Sequence, residues 1–154
     1  MIIGSFDKDG RPYVQGRLFL PRLNIDGYID FLVDTGSDAT CLHAKDGLRL
    51  DVPYDKLRGV QNVEGVGGEA QYYLEGAVLF LADGKLLRTY VTPIAISAVN
   101  DHFKKLPSLL GQDVLQNFWM RHDPGNARLE FTVRGAALTF KGTLDGLPGN
   151  ITAR

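Results

Sequence analysis

One cysteine, Cys41, stands among the 154 residues, so no internal disulfide staples this chain. Three histidines, His43, His102 and His122, are too widely separated to join that thiol in a recognisable zinc spacing, and no metal site is expected. Neither sign of charge dominates, with 17 Lys and Arg against 18 Asp and Glu. That balance excludes the basic surface a nucleic-acid or membrane-surface binder needs, so no nucleic acid and no membrane is expected as a partner. Nor does any apolar run approach the roughly 18 residues of a membrane-spanning helix. The first residues, Met1 to Asp7, lack a basic-then-apolar leader, and the expectation is a soluble, cytoplasmic protein.

What the chain does have is apolar content and tight turns. With 44% hydrophobic residues, a chain of this length is expected to form one domain and to bury roughly 70% of the surface it exposes unfolded. Asp9-Gly10, Asp26-Gly27, Asp83-Gly84, Pro124-Gly125-Asn126 and Gly135 separate apolar or alternating runs, and Asp-Gly between such runs signals a hairpin. The pattern predicts strands over Tyr13 to Ile25, Tyr28 to Val33, Tyr72 to Leu81, Leu86 to Ile96, Arg128 to Val133 and Ala136 to Phe140. Helix is scarce. The best short segment is Gln112 to Phe118, where Val114, Leu115 and Phe118 fall at helical spacing behind Gly111. Pro53 to Arg58 and Ser97 to Lys105 have room for single helical turns. Composition places a domain over residues 1–140 and a flexible tail over 141–154.

One stretch carries chemistry. The apolar run Tyr28-Ile29-Asp30-Phe31-Leu32-Val33 delivers a carboxylate, Asp34, followed by Thr35, Gly36 and Ser37. A carboxylate at the mouth of a buried strand, with a flexible residue and two hydroxyls beside it, suits acid-base work on water. Cys41 and His43 share one strand face and raise a competing thiol-imidazole hydrolase, although no flanking signature accompanies them. Phe118 and Trp119 read as core or interface packing.

Leu32-Val33-Asp34-Thr35-Gly36-Ser37-Asp38-Ala39-Thr40 resembles the active-site strand and loop of retroviral-type (retropepsin-like) aspartic proteases. Leu109-Leu110-Gly111 resembles the second motif of the same family, two apolar residues and a glycine before a short helix. Val63 to Gln71, with Gly65, Gly67 and Gly68, looks like the glycine-rich flap that closes over substrate in that family. The resemblance implies an all-β, closed barrel-like acid-protease fold, a single lobe with one short C-terminal helix, assembled as a homodimer. It implies Asp34 as the catalytic carboxylate, with Thr35 tying two catalytic loops together, Gly36 admitting substrate and Ser37 bonding the carboxylate. Asp38, Gly67 and Gly68 become substrate contacts, the substrate is a peptide or protein, and no cofactor is implied.

Two departures stand out. Gly111 is followed by Gln112 and Asp113, where retroviral enzymes usually continue with Arg and Asn, so Asp38 lacks its usual ion-pair partner; Asp113 is free to cap its helix instead. Asp34 is also solitary: Asp145-Gly146 has no strand before it, and Asp123-Pro124-Gly125 reads as a turn. A second carboxylate then has to come from a second copy of the chain. The alternative is a catalytically inactive retropepsin-like module for dimerisation or peptide binding, since a fold alone does not specify an activity.

Overall fold

A computed structural model of the chain describes residues 1–65 and 68–147. Short N-terminal strands β1 (Ile2–Ile3) and β2 (Ser5–Phe6) lead into two long strands, β3 (Pro12–Leu20) and β4 (Ile25–Val33). The loop at Asp34, strand β5 (Cys41–Leu42) and helix α1 (Ala44–Arg49) follow. Strands β6 (Val60–Gly65) and β7 (Gly68–Asp83) form a hairpin, and β7 continues into β8 (Leu86–Ser97) through the two-residue loop Gly84-Lys85. Gly84 sits at φ +59°, the left-handed conformation that a tight primed turn demands. Strand β9 (Leu109–Leu110), helix α2 (Gln112–Leu115), and strands β10 (Phe118–Asp123), β11 (Arg128–Val133) and β12 (Leu138–Lys141) complete the described chain.

The larger sheet runs β8-β5-β9-β4-β3-β7, and β7 pairs back onto β8, so these strands close a barrel. Most neighbours are antiparallel, while β4–β9 and β5–β8 are parallel. Closure removes the free edges an open sheet would expose. Residues alternate across each strand, and Ile29, Phe31 and Val33 of β4 point inward as the period-two pattern requires. They pack with Leu18, Leu79, Ile94, Ile96 and Leu110 in one continuous apolar core. Each such side chain removed from water contributes about 1.5–3 kcal/mol. A smaller three-stranded sheet, β1-β11-β10, lies beside the barrel.

Several local expectations change. The chain between β3 and β4 turns at Pro21–Leu23 and Asn24, not at Asp26-Gly27, because Pro21 cannot donate to a ladder and Asn24 takes φ +52°. Gly27 therefore lies within β4 opposite Leu18, and its missing side chain makes room for Leu50: a Cβ there would lie 2.2 Å from Leu50 Cδ2. The helix at Gln112 stops at Leu115, and Phe118 begins a strand. The expectation of a single helix is corrected by α1, which holds Gly47 in its interior. Its hydrogen side faces Tyr54, whose hydroxyl would sit 2.1 Å from an added Cβ. The single turns at Tyr54–Lys56 and Phe103–Lys105 do form.

Beyond Lys141 the chain runs back along the barrel. Arg17, buried and paired through two bonds of 2.8 and 2.6 Å with Asp26, also donates to the carbonyls of Leu144 and Leu147 at 2.7 and 3.0 Å. Residues 148–154 lie outside the described residues.

Candidate active site

Asp34 leaves β4 where that strand runs parallel to β9, with Leu32 opposite Leu109 and Val33 opposite Leu110. Its own amide donates to the Leu110 carbonyl at 3.0 Å, which fixes its backbone in the barrel wall. The chain then turns at once. Gly36 N–H donates to Asp34 Oδ1 at 3.0 Å, and Ser37 N–H donates to the Asp34 carbonyl at 3.2 Å. The carboxylate is half-buried, and among the described residues nothing else bonds it, so Oδ2 is left for a ligand. Thr35 and Gly36 are exposed at the loop tip.

The second motif braces this loop from beneath. Gly111 precedes α2 with its backbone pressed against the loop: a Cβ would lie 2.4 Å from the Ala39 carbonyl oxygen and 2.9 Å from that of Ser37. Only glycine fits there, and the reason is close approach, since its φ is −101°. The first amides of α2, which have no partner within a helix, are taken up by the loop. Gln112 N donates to Ser37 O at 2.8 Å and Asp113 N to Asp38 O at 3.1 Å. Gln112 Nε2 reaches the Thr35 carbonyl at 2.9 Å. Asp113 does not cap its helix. Its carboxylate accepts from Thr40 N at 2.9 Å and from Thr40 Oγ1 at 2.7 Å, while Thr40 Oγ1 accepts from Gly111 N at 3.1 Å.

Asp34, Thr35, Gly36, Ser37 and Asp38 are thus brought into one braced loop. Ser37 differs from expectation: its hydroxyl donates to the Ala39 carbonyl at 2.7 Å, so it closes the loop on itself while Gly36 holds the carboxylate. Asp38 is exposed, with no cation against its carboxylate among the described residues. Gly68 pairs with Gly65 at the described end of the β6–β7 hairpin, and Gly67 lies outside the described residues. The bracing set Thr40, Gln112 and Asp113 escaped the sequence-based site. Its signal was only that two polar residues follow the glycine of the second motif where others are usual.

The thiol and imidazole do not form a catalytic pair. Cys41 Sγ points to the Ala39 carbonyl at 3.5 Å, and burial, with the charge of Asp113 second, pushes the thiol up to about 11. His43 is engaged elsewhere, its Nδ1 2.6 Å from the Pro107 carbonyl and its Nε2 3.1 Å from the Tyr72 hydroxyl. A thiol held neutral and an imidazole with both nitrogens committed cannot supply a nucleophile.

The outer groove lined by Phe6, Tyr13, Tyr28, Asp30, Lys45 and Arg49 contains none of the Asp34 loop.

Among solved structures, a retropepsin-like aspartic protease from Rickettsia conorii is similar, with a TM-score of 0.52 and 23% identity, covering 84% of this chain and 95% of that one. EIAV protease complexed with the inhibitor HBY-793 is 23% identical at a TM-score of 0.48, covering 73% of this chain and 91% of that one. No curated protein sequence matches the chain. At this identity the likeness to the Rickettsia conorii structure concerns the fold alone, and it agrees with the closed barrel. The family model for retroviral aspartyl protease matches residues 10–121, from the start of the barrel through the Asp34 loop and α2 into β10; the chain belongs to that family.

Proposed function

We propose that this chain is an aspartic endopeptidase that works as a homodimer, with the two Asp34 carboxylates facing each other across a twofold axis. The observation that carries the proposal is the Asp34 carboxylate itself, half-buried at the end of β4, held through one oxygen by Gly36 N–H and open at the other. Two carboxylates a few ångströms apart cannot both ionise cheaply, so the pair holds one proton; aspartic proteases are the standard instance of this effect. The ionised partner removes a proton from a water lying between them. The protonated partner donates to the scissile carbonyl oxygen as the water oxygen adds to its carbon, giving a tetrahedral diol. Proton return to the amide nitrogen then releases the amine and the acid, with no covalent enzyme intermediate and no cofactor.

Thr35 and Gly36 sit at the exposed tip, where a second loop and a peptide backbone would meet. Asp38 and the glycines of the β6–β7 hairpin supply substrate contacts on either side of an extended segment. Digestion of a peptide library by the wild type and by Asp34→Asn across acidic to neutral pH tests the assignment. Cleavage by the wild type alone is expected, following a bell-shaped pH dependence because one of the two carboxyls has to be protonated and the other not. Equal cleavage by both proteins, or peptide binding without turnover by the wild type, would replace the protease with a binding module.

A further inference from the structure

The outer groove encloses about 710 Å³ and shares no residue with the Asp34 loop. Clefts of several hundred Å³ are the usual size of ligand sites. Half-buried Phe6, Tyr13 and Tyr28 line it together with the charged Asp30, Lys45 and Arg49. One wall is an edge of β4. Leu32 N donates to the Ser108 carbonyl at 2.8 Å, so the backbone of Leu32 faces away from β3, and alternation turns the backbone of Tyr28 and Asp30 the same way. The Tyr28 carbonyl is covered, since Arg49 Nη2 donates to it at 2.6 Å. Between these two covered positions the amide and the carbonyl of Asp30 have no partner among the described residues.

An unpaired edge is a template for another chain. In an antiparallel pair, two residues that face each other exchange both of their backbone bonds, so Asp30 alone offers a matched donor and acceptor. The side chains add a second selection. Lys45 is exposed and enters no ion pair among the described residues, and the Asp30 carboxylate receives only Gln15 Nε2 at 3.4 Å. A free cation and a free anion in one groove complement a segment that carries one charge of each sign, and the aromatic rings complement an apolar residue between them.

We propose that this groove docks an extended peptide segment of mixed charge, which adds to β4 as a short antiparallel strand with its apolar residue opposite Asp30. Residues two apart in a strand share a face, so an acidic side chain on one side of the apolar residue meets Lys45 and a basic one on the other side meets the Asp30 carboxylate. Backbone bonds supply affinity and the side chains supply selection, as in other cases of strand addition. The site rests on the endopeptidase function proposed above only for the source of the segment, a protein substrate gripped away from the bond to be cut.

Binding is measured by fluorescence anisotropy on full-length Asp34→Asn, with labelled Ala-Glu-Ala-Phe-Ala-Lys-Ala and the version with Glu and Lys exchanged as probes. One of the two orders should bind. N-methylation of its Phe amide should weaken it about tenfold, because the Asp30 carbonyl loses its donor. Lys45→Glu should weaken it about threefold, the scale of an exposed ion pair, and replacing the Glu of the probe by Lys should recover that loss. Sedimentation of Lys45→Glu should match the wild type. Failure of both orders to bind, an affinity blind to N-methylation, or an affinity blind to Lys45→Glu would overturn the docking site whatever the wild type cleaves. A dimer lost in Lys45→Glu would assign the groove to a second copy of the chain and overturn it as well. Binding with this pattern, beside a wild type that cleaves no peptide, would leave the groove standing and remove the protease function instead.

Discussion

The Asp113 carboxylate receives both polar hydrogens of Thr40, the amide at 2.9 Å and the hydroxyl at 2.7 Å. Thr40 in turn accepts from Gly111 N through the same hydroxyl oxygen, so one side chain on α2 locks the two motifs together. Both oxygens of Asp113 act as acceptors, which only a carboxylate provides. In Asp113→Asn the amide nitrogen has to face one of the two donors. The expected cost is about 1–3 kcal/mol in chemical denaturation, the penalty for a donor left unsatisfied in a nearly closed site. If the proposed function holds, peptide cleavage should fall mainly in kcat, because the loop that carries Asp34 loosens while the β6–β7 hairpin is untouched. A stability unchanged within a few tenths of a kcal/mol would show that Thr40 is held by other means.

Gly111 gives a sharper steric case. Its added Cβ would meet backbone, the Ala39 carbonyl at 2.4 Å, and backbone cannot swing aside as a side-chain end can. Gly111→Ala should therefore destabilise by about 1–3 kcal/mol through overpacking and should abolish cleavage by displacing the 37–39 segment. Gly76→Ala in β7 is the matched control. An added Cβ there meets nothing within 4 Å, and its stability should stay at or slightly above wild type. Thermal melts of the two variants side by side check both.

Cys41 should be inert in the folded protein. Its thiol is buried and pushed up to about 11 by that burial, so the thiolate that reacts with alkylating agents is scarce at pH 8. Mass spectrometry after iodoacetamide treatment should show almost no adduct on native protein and full modification in denaturant. Rapid native modification would mean that the β5 strand opens readily.

The barrel and the Asp34 loop were legible because both rest on short-range rules. Alternation put Ile29, Phe31 and Val33 on one face, and a strand followed by Asp-Thr-Gly-Ser marked the loop. What stayed hidden was set by partners far away in sequence. Gly27 looked like a turn until Leu50 filled the space above it. Trp119 to Asp123 show no apolar alternation, since every residue of β10 after Phe118 is at least partly exposed. Ser37 and Asp113 were assigned by residue type, whereas their bonds depend on how α2 meets the loop. Nothing local to Asp113 could announce Thr40.

His43 couples the barrel to acid. The Pro107 carbonyl 2.6 Å from Nδ1 can only accept, so the neutral ring carries its proton on Nδ1 and receives the Tyr72 hydroxyl at Nε2. Phe103 stacks on the ring at 5.5 Å, and burial is the main reason its pKa falls below 6.5; His102 adds to the fall, while the Pro107 bond and Asp46 oppose it. Protonation is therefore easier in the unfolded chain. Between 6.5 and the lowered folded value the unfolded state binds more protons, so stability is full above pH 6.5 and is lost as pH falls through that window. Tyr72 lies in β7, on the hairpin that carries the flap-like glycines, and its hydroxyl would then confront a donor in place of an acceptor. Melting temperature followed from pH 7.5 down to 5 should drop more steeply for the wild type than for His43→Gln, whose amide oxygen can still accept but cannot titrate. Parallel curves for the two proteins would show that the acid sensitivity of the fold resides elsewhere.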